Sequence, residues 1–188
     1  MNARTDAELI AASRSTPQAF GEIVHRHHVR VHRYVARRLG PVLAEEVVND
    51  VFATAFTKRR RYDVTHADAA PWLLGIATNL IHRHFAAERI ALRRYSTESV
   101  DPVAPETPSG HAGFDPQLAG VLSTMRKQHR DVLFLFAVAE LSLDEIAVAL
   151  DVPVGTVKSW LSRARTYAAD RLTPADATSL EGVADGHA

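Results

Sequence analysis

The 188-residue chain contains no cysteine. That excludes disulfides, thiolate nucleophiles and any zinc site built on sulfur ligands. No apolar run approaches the roughly 18 residues that a membrane-spanning helix needs. The opening MNARTDAELI lacks the apolar core of a signal peptide, so a soluble, cytoplasmic chain is expected. There is no glycine-rich phosphate loop. The serines fall in caps, in a proline-rich stretch or on one basic helix, and no nucleophile–base pairing stands out. Enzymatic chemistry and a bound cofactor are therefore not expected.

Net charge is missing too, with 22 Lys/Arg against 22 Asp/Glu. The zero is a sum of opposite blocks. Residues 1–94 hold 15 basic and 9 acidic side chains, and residues 95–117 hold none and 4. Residues 118–172 hold 7 and 6, and residues 173–188 hold none and 3. Such asymmetry implies different tasks for different segments.

What is present reads as helix. Phe20, Ile23, Val24, Val31, Tyr34 and Val35 recur at helical spacing. Gly40-Pro41 breaks that helix. A second is expected from about Leu43 to Lys58, burying Val47, Val48, Val51, Phe52, Ala55 and Phe56. A third starts at Ala69-Ala70-Pro71, with proline near its first turn and an apolar stripe from Trp72 to Ile81. Residues 95–117, with four prolines and no Lys or Arg, read as a flexible acidic linker. Residues 118–172 are helical again, VLSTMRKQHRDVLFLFAVAEL forming one helix or two. Residues 173–188 read as a disordered tail. The fold class expected is all-α: two small helical domains, 1–94 and 118–172, joined by a linker.

SLDEIAVALDVPVGTVKSWLSRAR has the grammar of a helix-turn-helix. Ser142 and Glu145 form a capping box, Asp151-Val152-Pro153 makes the turn, and a longer helix follows near Val154. Val154, Val157, Leu161, Ala164 and Ala168 share one inward stripe. Thr156, Lys158, Ser159, Ser162, Arg163, Arg165 and Thr166 remain for the other faces. That set can donate to phosphates and base edges in a major groove. In the first domain, Glu45, Glu46, Asn49 and Asp50 form a polar and acidic face suited to a basic partner groove. Lys58-Arg59-Arg60-Arg61 is a basic run of the kind that tracks single-stranded DNA. His25, His27, His28 and His32 lie close in sequence. No acid or third ligand stands beside them, so no metal is expected. With Arg26, Arg30, Arg33, Arg37 and Arg38 they are expected to form a basic surface.

Over most of residues 6–172 the sequence resembles the extracytoplasmic-function branch of the bacterial sigma-70 family. FGEIVHRHHVRVHRYVARRLG, AEEVVNDVFATAF, PWLLGIATNLIHRHFAAER and GTVKSWLSRAR carry the resemblance, in that order around a linker. It implies a subunit that joins core RNA polymerase and directs it to promoter DNA. Glu46, Asn49 and Asp50 would meet the clamp helices of the polymerase β′ subunit. Arg59, Arg60, Arg61, Asn79, His82 and Arg83 would handle the −10 element. Thr156, Lys158, Ser159, Ser162, Arg163 and Arg165 would read the −35 element. Trp72 would lie near the core, and the linker would enter the channel used by nascent RNA. Control by an anti-sigma factor is also implied. A response-regulator output domain uses a similar TVK-containing helix, but it leaves PWLLGIATN unexplained. The chain departs from the family at Met125, Phe136, Glu140 and Trp160, where relatives usually have proline, a basic residue, glycine and a polar residue.

Overall fold

The computed structural model describes residues 4–98 and 114–172, and every regular element among them is helical. The first domain contains α1 (Asp6–Ala12), α2 (Phe20–Leu39), α3 (Pro41–Lys58) and α4 (Ala70–Glu98). The Thr5 hydroxyl accepts from the Glu8 amide at 3.3 Å, and the Glu8 carboxylate accepts from the Thr5 amide at 2.8 Å. This reciprocal pair opens α1. Gly40, at φ 84°, sits in a region that an L side chain rarely adopts, and Pro41 starts α3 immediately. The Asp68 carboxylate accepts from the Ala70 amide at 2.8 Å and so fixes the start of α4. Ile23, Val31, Tyr34 and Val35 of α2 meet Val48, Val51 and Ala55 of α3 and Leu73, Leu74, Ala77 and Ile81 of α4 in one apolar core.

The second domain contains α5 (Pro116–Thr124), α6 (Lys127–Ala137), α7 (Leu143–Leu150) and α8 (Val154–Ala169). The stretch that reads as one helix or two is two, separated by Met125 and Arg126 in extended conformation. Ser142 and Glu145 form the expected capping box at α7. Asp151 ends α7 at φ 54°, and Pro153 leads into α8. Val157, Leu161, Ala164 and Ala168 are buried as the stripe requires, while Val154 is half-buried. Glu140 adopts φ 55°, so the site before the helix-turn-helix is left-handed although no glycine fills it.

Helix reaches into both ends of the expected linker, to Glu98 on one side and from Pro116 on the other. Residues 99–113 and the tail 173–188 lie outside the described residues.

The two domains pack together. Arg38 of α2, with no exposed surface, donates to the Asp131 carboxylate of α6 at 2.8 Å and to the Tyr34 hydroxyl at 3.1 Å. His82 of α4 pairs with the other Asp131 oxygen at 2.9 Å. Arg30 donates twice to the Ala139 carbonyl, at 3.0 and 2.8 Å, and Arg33 pairs with Glu140 at 3.0 Å. Gly75 lets α4 approach α7 so closely that a Cβ there would sit 2.3 Å from the Ala149 carbonyl oxygen.

Candidate nucleic-acid interface

Helix α8 is held by its apolar stripe, so what lies off that stripe is fixed in direction. Lys158, Ser162, Arg163, Arg165 and Thr166 are exposed, and Thr156 and Ser159 are half-buried. Lys158, Ser162, Arg165 and Thr166 line one open groove with Leu143 and Leu161. Arg165 has a second contact, its guanidinium lying 5.0 Å from the centre of the Phe136 ring. Phe136 therefore props an arginine by a cation–π contact. His129 is half-buried near Arg126 and Arg163. Burial and the neighbouring positive charges of Arg126 and Arg163 hold its pKa below the ordinary 6.5. Arg126 and Arg163, both close to that imidazole, make a local positive field.

Trp160 does not point into that groove. It is half-buried and lines a cleft of about 240 Å³ between the domains, with Gly75, Thr78, Asn79 and His82 of α4 and Lys127 and Asp131 of α6. The structure thus brings two of the expected −10 residues, Asn79 and His82, to the second domain. Asn79 is exposed at the cleft, His82 is half-buried against Asp131, and Arg83 is exposed. Arg60 and Arg61 are exposed as well. Arg59 is tied inward: it donates to the Ser13 and Phe56 carbonyls at 3.2 and 2.6 Å and stacks 3.9 Å over the Phe56 ring. Trp72 packs against Tyr62 with ring centres 4.9 Å apart, next to the core.

On α3, Glu45, Glu46, Asn49 and Asp50 are all exposed. Val42 precedes them on the same helical face and is 90% exposed. Sequence periodicity passes over Val42 because one apolar residue at a helix start carries no signal.

The basic surface expected on α2 is present only in part: His25, Arg26, Arg33 and Arg37 are exposed, but most of the arginines are also engaged within the chain. Arg38 is fully buried, Arg30 and Arg33 are spent on the second domain, and Arg26 pairs with Asp6 at 3.0 Å and Glu22 at 2.9 Å. The guanidinium groups are there, but intramolecular acceptors hold them. The histidines divide similarly. His25 is exposed, His28 stacks between Phe52 and His32, and His32 lies 3.4 Å from Glu45. His27 is buried and does meet acids, 2.6 Å from Asp6 and 3.9 Å from Asp68. Ligand atoms of those three residues lie within 4.8 Å of one another. The Asp6 carboxylate is already engaged by His27, Arg26 and the Ala69 amide. Burial pushes the Asp6 carboxyl up, yet these donors outweigh it and hold the pKa below 3.8. The group ties α1, α2 and α4 together.

No helix among the described residues is long and apolar enough to cross a membrane.

Residues 23–90 match the family Sigma-70 region 2, and residues 117–167 match Sigma-70, region 4. The chain is 30% identical over 160 residues to the ECF RNA polymerase sigma factor SigW of Bacillus subtilis, covering 78% of this chain and 85% of that protein. Its fold is similar to that of CnrH in complex with the cytosolic domain of CnrY, with a TM-score of 0.62 and 24% identity over 88% of this chain and 95% of the other. It is also similar to RpoE in complex with the anti-sigma factor NepR from Bartonella quintana, with a TM-score of 0.54 and 17% identity over 84% of this chain and 96% of that one.

Proposed function

The chain belongs to the extracytoplasmic-function branch of the sigma-70 family, and from that premise we propose how its surfaces divide the work of a sigma factor. It directs promoter recognition, and bond-making stays with the polymerase. Helix α3 docks on the clamp helices of the polymerase β′ subunit through Glu46, Asn49 and Asp50. Val42 adds an apolar contact at the edge of the same face. The acids give register and steering against a basic groove, and the valine gives burial.

Arg60, Arg61, Asn79, His82 and Arg83 hold the −10 element, with Asn79 able to pair with a base edge. Helix α8 enters the major groove at the −35 element. Lys158, Ser162 and Arg163 make the outermost contacts, Thr156 and Ser159 flank them, and Arg165 is aimed by Phe136. An anti-sigma factor, as in the RpoE–NepR complex, would restrain the chain by covering one of these faces. The observation that carries the reading is the exposed Lys158–Ser162–Arg163 row on a helix whose opposite face is locked into a capped helix-turn-helix.

Run-off transcription tests it. Purified core polymerase and fragmented host DNA should give discrete 5′ ends that depend on this protein. Lys158→Ala with Arg163→Ala should abolish them while leaving polymerase binding intact. Unchanged starts in that variant would remove α8 from the −35 element.

A further inference from the structure

We propose that the cleft between the domains binds a purine nucleotide, with Trp160 as the platform for its base and the start of α6 as the seat of its phosphate.

Size sets the class of ligand. The cleft holds about 240 Å³. An apolar cavity of about 150 Å³ takes up a benzene ring, so this one has room for a bicyclic base. Because it is a cleft and not a closed cavity, a sugar and phosphate can project from it toward water.

The lining supplies a partner for each part of such a ligand. Trp160 is half-buried on α8 and brings an indole to the cleft. Stacking on an aromatic ring suits any base, since every base has a π-face. Asn79, Lys127 and Gln128 line the same cleft and are exposed. Among the described residues their side chains make no hydrogen bond or ion pair, so they are available to a ligand. An asparagine or glutamine amide matches the N6–H and N7 of adenine, which makes adenine the best-fitting base. Helix α6 begins after Arg126 with no side-chain cap, so its first-turn amides at Lys127 and Gln128 lack an acceptor. Those amides and the Lys127 ammonium suit a phosphate. The helix end would not define a site by itself. An indole, two unengaged amides and a lysine on one cleft do.

Two acids share the lining. Asp131 is answered by Arg38 at 2.8 Å and by His82 at 2.9 Å, so its charge is not left to repel an anion. Asp151 is exposed at the end of α7 and can accept from the exocyclic N–H of adenine. A nucleotide seated here meets α4 through Asn79, α6 through Lys127 and α8 through Trp160. Its binding therefore ties the two domains together and stabilises the folded chain by linkage.

Trp160 emission in a Trp72→Phe background reads the site directly. AMP should quench or shift it saturably, with a Kd below about 1 mM. Adenosine, which lacks the phosphate, should bind at least about tenfold more weakly, and inorganic phosphate alone should leave the emission unchanged. Lys127→Ala should weaken AMP by about tenfold or more and leave adenosine as it was, because it removes only the partner of the phosphate. Trp160→Leu, followed by equilibrium dialysis of labelled AMP, should weaken AMP and adenosine alike. AMP should also raise the melting temperature of the parent chain and not that of Trp160→Leu. No saturable change and no rise in melting temperature, in protein with the circular dichroism of a folded helical chain, would overturn the site. Equal binding of AMP and adenosine to the parent would overturn the phosphate seat. AMP binding that neither substitution weakens would place the nucleotide elsewhere and overturn the assignment to this cleft.

Discussion

Replacing Arg38 with methionine removes the cation and keeps much of the volume. Asp131 would then keep His82 and the charge of Arg130 nearby but lose its direct guanidinium partner, at a site where the carboxylate side chain is 4% exposed. Breaking a buried ion pair from one side costs about 3–5 kcal/mol, because the remaining charge stays desolvated. At about 1.4 kcal/mol per tenfold, that shifts an equilibrium by more than a hundredfold. The chain has a cheaper escape than unfolding, since parting the domains returns Asp131 to water. Arg38→Met should therefore open the interface and leave both helical domains formed. The protein has two tryptophans, Trp72 against Tyr62 in the first domain and Trp160 in the interdomain cleft. In a Trp72→Phe background, Trp160 emission should move to longer wavelength without denaturant while far-ultraviolet circular dichroism stays unchanged. Adding Asp131→Leu removes the stranded charge and should return the emission toward its starting value, as apolar replacement of whole buried pairs is often neutral or stabilising. Helix loss in step with the emission shift would refute the reasoning, because it would make the pair part of a single folding unit. No shift at all would mean that water already reaches Asp131.

Ser142→Ala deletes half of the capping box at α7 and should lower the stability of the helix-turn-helix by about 1 kcal/mol, read from urea midpoints. Glu140→Gly relieves a left-handed side chain worth about 1–2 kcal/mol and gives up an exposed pair with Arg33 worth less than about 1 kcal/mol, so the melting temperature should rise. Asp6 has its pKa held below the unfolded value of 3.8, so its contribution is complete above that value and is lost as pH falls through the folded value. Urea midpoints taken below about pH 4 should fall less steeply for Asp6→Asn than for the parent. Arg163→Ala should reduce the slope of log affinity against log salt for promoter binding by the polymerase complex, by about one unit if Arg163 neutralises one phosphate.

The helices and the helix-turn-helix were legible because they rest on local rules. Gly40-Pro41 can only break a helix, and it does so at φ 84°. Ser142 and Glu145 close a capping box because residues three apart meet across one turn. The buried stripe of α8 follows from its 3.6-residue period. Glu140 was visible as a residue out of place, and its positive φ is the physical content of that departure. The contacts between domains were not legible, because nothing in a helical period says which buried arginine meets which acid about ninety residues later. Two signals were nevertheless present. Asp131 stands directly before the apolar run VLFLF, where a charge is costly without a partner, and Gly75 interrupts a helical stripe that alanine would serve better.

Reading α2 as a basic surface held only in part, for Arg26, Arg33 and Arg37 are exposed while Arg38 is buried, because charge was counted along the sequence. Four of its arginines find acceptors, two in the first domain's own acids or the interface carboxylate and two on the α6–α7 connection. The opposite charge blocks that sum to zero are thus partly joined in space: Asp131 and Glu140 from the second half answer Arg38 and Arg33 from the first. What remains exposed includes the acids with Val42 on α3, Arg60, Arg61 and Arg83 in the first domain, and Lys158 and Arg163 on α8. A surface lysine or arginine can be assigned to DNA only after the fold has claimed the ones it needs. In this chain Lys158 and Arg163 meet that condition, and Arg38 does not.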